Sequence, residues 1–197
     1  MFTTHGVLHR DVSYGNIMLL PSPKDGMLID FDLAISANRS SVSAHHRTGT
    51  VEFMALDLLQ GRNVVHGPRH DIESFLYVLL MLAIRYSRGD DGKMRERKET
   101  YRDGIFLEDA MMRLGENAMY HFGSIREGLM TSHKLFCRRV LPTLDKDARD
   151  KLGQLFVEWR RLLFPPEESE DEQLTEQQLY AAVLKMLETA IERLQGA

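Results

Sequence analysis

Apolar positions come in short bursts over the first third of the chain and in long helical periods after it. Ile17-Met18-Leu19-Leu20 and Gly26-Met27-Leu28-Ile29 are brief apolar runs on either side of Pro21-Ser22-Pro23-Lys24-Asp25. Two prolines and an Asp-Gly pair make that middle a turn, so residues 6–35 are read as short β segments containing a hairpin. Residues 36–68 hold no sustained period and are rich in Ser, Thr, Gly, His and Arg, which predicts an extended surface segment. At Arg69-His70-Asp71 a helix opens and is predicted to run to about Tyr86. Ile72, Phe75, Leu76, Val78, Leu79, Leu80, Leu82 and Ile84 leave it no polar side, so it is expected to be buried all round, as the pillar of the domain.

The charges of residues 87–104 alternate in sign among glycines, which predicts a solvated connecting loop. Phe106 to Met119 and Ile125 to Val140 read as amphipathic helices. Leu144 to Leu163 is a stronger one, with Leu152, Leu155, Phe156, Trp159 and Leu163 at helical spacing and Pro165-Pro166 as its stop. An acidic run follows from Glu167 to Glu172, and Thr175-Glu176-Gln177-Gln178 then has the form of a capping box. The last helix presents Leu179, Val183, Met186, Leu187, Ile191 and Leu194. The organisation expected is a main domain over 1–164, an acidic linker over 165–174 and a terminal helix over 175–197.

Composition narrows the choices without naming one. The 197 residues, 43% hydrophobic and 27% charged, suffice for one domain with a core. A net charge of −4 gives no support for a nucleic-acid or anionic-membrane partner. The longest apolar run, Phe75 to Ile84, is well short of the ~20 residues that span a bilayer. A single cysteine, Cys137, forms no internal disulfide, and Met1 to His5 lack the basic start and apolar run of a secretory leader. An intracellular address, cytoplasm or nucleus, is expected; oligomeric state is not indicated.

The chemistry lies near the amino end. His9-Arg10-Asp11-Val12-Ser13-Tyr14-Gly15-Asn16 is followed by Leu28-Ile29-Asp30-Phe31-Asp32. Phosphoryl transfer needs an oriented acceptor hydroxyl, a late proton acceptor and a metal against phosphate charge. Asp11 suits the first two roles, while Asn16 and Asp30 offer the hard oxygens Mg²⁺ prefers. A hairpin between them explains how residues fourteen positions apart could share one ion.

With these motifs the chain resembles the protein kinases, and within them the fungal-type protein kinase family. His9-Arg10-Asp11 with Asn16 is similar to the catalytic loop, and Asp30-Phe31-Asp32 stands where Asp-Phe-Gly is usual. Gly49-Thr50-Val51-Glu52-Phe53-Met54-Ala55-Leu56-Asp57 resembles the end of an activation segment, and Asp71-Ile72-Glu73-Ser74-Phe75 the start of the large lobe's central helix. The four motifs keep family order and spacing over residues 5 to about 86. The resemblance implies a mainly α-helical large lobe, with a small β hairpin at the catalytic edge and no small lobe. It implies ATP as substrate with Mg²⁺, and protein Ser/Thr hydroxyls as acceptors.

By the same resemblance Asp11 is the catalytic base, and Asn16 and Asp30 bind Mg²⁺ and so ATP. Arg10 would pair with a phosphorylated residue of the Ser- and Thr-containing stretch from Ser36 to Thr48, and Thr50 would position Asp11. Asp71 would hold the catalytic-loop backbone, His9 would pack, and Asp57 would take the family's ion pair, with Arg138, Arg139, Arg160 or Arg161 opposite. Three residues depart from the family: Ser13 for a lysine, Asp32 for glycine, and Leu56-Asp57 for Pro-Glu. Neither a Gly-rich phosphate loop nor the small-lobe Lys and Glu is found in these residues, so the chain alone is expected to bind Mg-nucleotide weakly and not to turn over. Two other readings stay open: a non-catalytic, pseudokinase-like binding module, and a choline- or aminoglycoside-type phosphotransferase, towards which Ser13 and Asp32 lean.

Overall fold

The computed structural model describes residues 6–22, 25–36, 49–62, 64–97, 116–166 and 174–195. Outside them lie the stretch expected to take regulatory phosphate, apart from Ser36, the start of the helix expected from Phe106, and the acidic run after Pro166. The described chain is mostly helical with small β hairpins. It divides into two compact units, residues 1–78 and 79–197.

In the first unit, β1 (Val7–Leu8) pairs antiparallel with β4 (Ile35–Ser36). Between them β2 (Ile17–Leu19) and β3 (Gly26–Leu28) form the expected hairpin, Ile17 opposite Leu28 and Met18 opposite Met27. The hairpin edge is apolar and open: Leu19 is 82% exposed, and Tyr14, Met18, Met27 and Phe31 are also exposed.

The surface segment expected over 36–68 is corrected by the structure. Val51–Phe53 form a 3-10 turn and Leu56–Leu59 a short helix, α1. Phe53, Met54, Ala55, Leu56 and Leu59 are buried. No period announces them, because consecutive turns rather than one repeat carry these side chains inward.

Helix α2 (Pro68–Arg85) opens on proline, whose missing N–H costs nothing at a first helical position. Leu76, Tyr77, Leu80 and Met81 are buried, whereas Leu82 is 36% exposed and Phe75 and Leu79 are half-buried. One strip of the pillar is therefore less covered than its all-apolar sequence implies. Glu73, buried on this helix, accepts at Oε1 from the Leu56 N–H at 2.7 Å and from the Tyr77 hydroxyl at 2.7 Å. A helix start otherwise short of acceptors is thus capped by a carboxylate from another helix.

The second unit begins within α2. The solvated loop expected from residue 87 is in part a hairpin, β5 (Tyr86–Arg88) against β6 (Met94–Glu96), turning through Gly92 at φ 75°. Its alternating charges pair within it, Arg95 with Asp91 at 2.7 Å and Arg85 with Glu96 at 2.8 Å. Helix α3 (Glu116–Thr131) runs through Gly123, where a break was expected. The break comes at Ser132, whose hydroxyl accepts from the Leu135 N–H. Burial of Phe122 and Met130 outweighs the ~1 kcal/mol that a mid-helix glycine costs.

Helix α4 (His133–Leu135) runs on as a wider π turn over Phe136–Val140, and α5 (Lys146–Leu163) follows, with Asp145 as its N-cap. Phe136, Val140, Phe156, Trp159 and Leu163 form the core of this unit, and Arg126 stacks over Phe122 at 4.1 Å. Helix α6 (Glu176–Gln195) starts on the expected box, Thr175 and Gln178 bonding each other's backbone N–H. Its first half packs on α5 through Leu179 and Val183; Ile191 and Leu194 stay exposed.

Burial raises the Glu73 pKa above its ordinary value, with the bonds from Leu56 and Tyr77 partly opposing it. A raised carboxyl pKa gives stability that is present below the unfolded value and is lost as pH rises through the folded one. Denaturation curves for Glu73→Gln should therefore lack that loss, since Oε1 remains to accept both bonds. Glu73→Leu strands two buried donors and should cost about 2–4 kcal/mol.

Candidate functional site

The loop after β1 is shaped by what holds it. Arg10 has φ 69°, a left-handed conformation that a branched chain of its size seldom adopts. Its N–H donates to Asp71 Oδ1 at 3.1 Å, and the His9 N–H donates to Asp71 Oδ2 at 2.7 Å. His9 is buried and bonded at both ring nitrogens. Nε2–H donates to the Ile29 carbonyl at 3.0 Å, and Nδ1 accepts from the Asp11 N–H at 3.3 Å. That pair fixes the tautomer. The edge of the Phe31 ring completes its packing, with ring centres 4.8 Å apart.

Asp11 is half-buried and its carboxylate is held from two directions. Oδ1 accepts from the Thr50 N–H at 2.8 Å and from the Thr50 hydroxyl at 2.9 Å. On the other side Asn16 Nδ2 donates to Oδ2 at 3.2 Å and to the Asp11 carbonyl at 2.9 Å. Asn16 closes the 3-10 turn Tyr14–Asn16, and among the described residues its amide oxygen takes no bond. Across the hairpin the Ile29 N–H donates to the Asn16 carbonyl at 3.0 Å, which carries Asp30 past the end of β3. Asp30 is exposed, has φ 63°, and among the described residues its carboxylate has no partner.

The structure thus joins Asp11, Asn16 and Thr50 by side-chain bonds, and His9, Arg10 and Asp71 by backbone ones. Asp30 is linked to Asn16 through the hairpin backbone alone. Asp57 is not part of this constellation: it pairs with Arg62 at 2.7 Å, an arginine that was not among the four considered for it. Among the described residues the Arg10 side chain makes one long hydrogen bond, Nη1 to the Leu33 carbonyl at 3.5 Å, and its buried Nε has no partner. No group of three or more His, Cys, Asp or Glu suited to a metal occurs among the described residues. Any ion here would rest on Asn16 and Asp30 together with its own ligands.

Two residues escaped the sequence. Glu73 left a faint trace, as an acid on a helix otherwise apolar on every side. His66 left none. It is buried, and its Nε2–H donates to Asp71 Oδ1 at 2.9 Å. Beside it His70, its ring centre 5.0 Å away, accepts the Gly67 N–H on Nδ1 at 2.8 Å. Burial, then the neighbouring His66, pushes the His70 pKa down to about 4.

Known proteins were compared with this arrangement. Residues 1–83 match the family model described as fungal protein kinase. The probable serine/threonine-protein kinase mkcC of Dictyostelium discoideum is 34% identical over 79 residues, 40% of this chain and 8% of that protein. The chain spans only a small part of that relative's length.

At Gly49 (φ 109°) an added Cβ would lie 2.7 Å from the Arg10 carbonyl oxygen. Gly49→Ala is expected to cost about 1–3 kcal/mol in urea denaturation and to speed amide exchange at Thr50 as its bonds to Asp11 open. His70 sets a separate pH dependence. Its depressed pKa means the unfolded chain binds the extra proton first, so stability falls as pH drops from about 6.5 towards about 4. Denaturation at successive pH values should show a loss of roughly 3 kcal/mol in that window, absent in His70→Gln.

Proposed function

We propose, from a first 83 residues that are fungal-type protein kinase sequence, that the chain is the large lobe of such a kinase. It serves transfer of the γ-phosphate of ATP to serine or threonine hydroxyls of a protein. The observation that carries the reading is the pair of hydrogen bonds that Thr50 donates to Asp11 Oδ1, closed across 39 sequence positions. A catalytic base for a protein hydroxyl must be aimed before the substrate arrives. Thr50 and Asn16 aim Asp11 from opposite sides, and both donate to the form that accepts the proton.

Asn16, through its amide oxygen, and Asp30, through its carboxylate, are the residues that would hold Mg²⁺. Both oxygens are hard donors without a partner among the described residues, so the donor set suits the ion. When bound, Mg²⁺ neutralises charge on the phosphate oxygens. By the same proposal Arg10, whose buried Nε finds no partner among the described residues, would take a phosphate from the Ser- and Thr-containing stretch before Gly49. The choline- or aminoglycoside-type alternative leans on Ser13 and Asp32; it gives no reason for a threonine from a distant segment to grip Asp11.

The test joins this chain to the small lobe of a fungal-type kinase and follows γ-phosphate transfer from Mg-ATP to a mixture of Ser/Thr peptides. Asp11→Asn is expected to lower the rate about 10²–10⁴-fold with the nucleotide still bound. A fusion that binds Mg-ATP and transfers nothing overturns the reading in favour of a non-catalytic module.

A further inference from the structure

Asp71 offers two carboxylate oxygens to three donors. Oδ2 serves the His9 N–H alone at 2.7 Å, while Oδ1 is shared by the Arg10 N–H at 3.1 Å and His66 Nε2–H at 2.9 Å. The bond to Arg10, the residue in the left-handed conformation, is the longest of the three. Without His66, that one long bond alone would fix the direction of Oδ1.

His66 is built to supply the missing constraint. It stands in the short segment before α2 and is 6% exposed, and its ring faces that of His70. Gly67, next to it, is pinned to His70 from both sides: its N–H donates to Nδ1, and its carbonyl accepts the His70 N–H at 3.0 Å. The imidazole therefore reaches Asp71 from a segment that cannot swing. It also lines the small pocket bordered by Arg10, Asp11, Thr50 and Ser74. A strained backbone persists only where its surroundings over-determine it. His66 is the outer layer of that determination, two bonds removed from Asp11.

We propose that His66 is a positioning residue for the catalytic loop, acting through Asp71 Oδ1 to hold Arg10 left-handed and so to aim Asp11. The functional half of this proposal rests on the kinase reading above; the structural half does not.

The test compares His66→Leu, which removes the donor, with His66→Gln, which returns an N–H of similar reach. Residue-resolved amide exchange is measured on the whole chain, and transfer kinetics on the small-lobe fusion. His66→Leu is expected to speed exchange at His9 and Arg10 about tenfold or more, the scale of one hydrogen bond to a charged group, with α5 amides unchanged. In kinetics kcat falls with KM for ATP unchanged, and His66→Gln restores most of both losses.

Unchanged protection at His9 and Arg10, or an equal loss along the whole chain, overturns the proposal. So does selective loss of protection without a fall in kcat. If His66→Leu does not fold, the ring ¹⁵N spectrum of the unmodified protein decides. A slowly exchanging Nε2–H on His66 supports the clamp, and an Nδ1–H tautomer refutes it. Absence of transfer in unmodified and variant fusions alike sinks the kinase reading and leaves the exchange result standing.

Discussion

A single carboxylate, that of Asp71, governs the shape of the candidate site. It stands in the first turn of α2, where a helix presents its positive end and where the backbone is most firmly set by the burial behind it. From there it receives the amides of His9 and Arg10, two consecutive donors that face one anion only if the chain kinks between them. The kink is the left-handed Arg10. Its conformational cost, about 1–2 kcal/mol for a residue of this kind, is offset by charge-assisted bonds of comparable size. The direction of Asp11, the next residue, is thus inherited from a buried helix and not from the loop itself.

The same helix holds the far end of the site. Two positions beyond Asp71, Glu73 points another way around the helix and takes the Leu56 N–H at the start of α1. Thr50, six residues before Leu56, returns to grip Asp11. A closed circuit results: α2 to the loop, the loop to Thr50, Thr50 along the chain to α1, and α1 back to α2. Leu56-Asp57 stands where the kinases that the chain resembles have Pro-Glu, and Asp57 is absorbed by Arg62 nearby. Anchorage that an ion pair of that glutamate would supply falls instead to a buried acid on the pillar, which gains two good donors but bears the desolvation of its charge.

What was legible in the sequence follows from which signals are local. The β2–β3 hairpin was readable because prolines and Asp-Gly between apolar runs have few other solutions. The body of α2 was readable because apolar residues crowd Phe75 to Ile84, and the end of α5 because Pro165-Pro166 closes a strong helical period. Asp11, Asn16 and Asp30 stood out by their spacing, and Thr50 and Asp71 by the resemblance of their motifs to a known family. The burial of Phe53 to Leu59 was not legible, since no period survives a chain of turns. Nor was the break at Ser132: burial of Phe122 keeps the expected gap over 120–124 helical, and the Ser132 hydroxyl caps the helix that follows instead. His66 was invisible because its role depends on a partner that three-dimensional packing supplies, and a lone histidine among polar residues looks like any other.

The two residues with left-handed backbone, Arg10 and Asp30, frame the site and do so unequally. Around Arg10 every neighbour is engaged, and Asp11 beside it has little freedom left. Asp30 is exposed, its carboxylate carries no bond among the described residues, and only the backbone of its own hairpin positions it. In the proposed reading rigidity goes to the proton acceptor, and freedom to the acid that would meet an ion and its phosphates. Asp32 fits this division. Replacing glycine there restricts the backbone only where a positive φ is required, and here that conformation falls on Asp30. The substitution therefore carries no backbone strain in this arrangement. What it adds is a second negative charge beside Asp30, which in the proposed reading would favour a divalent cation there.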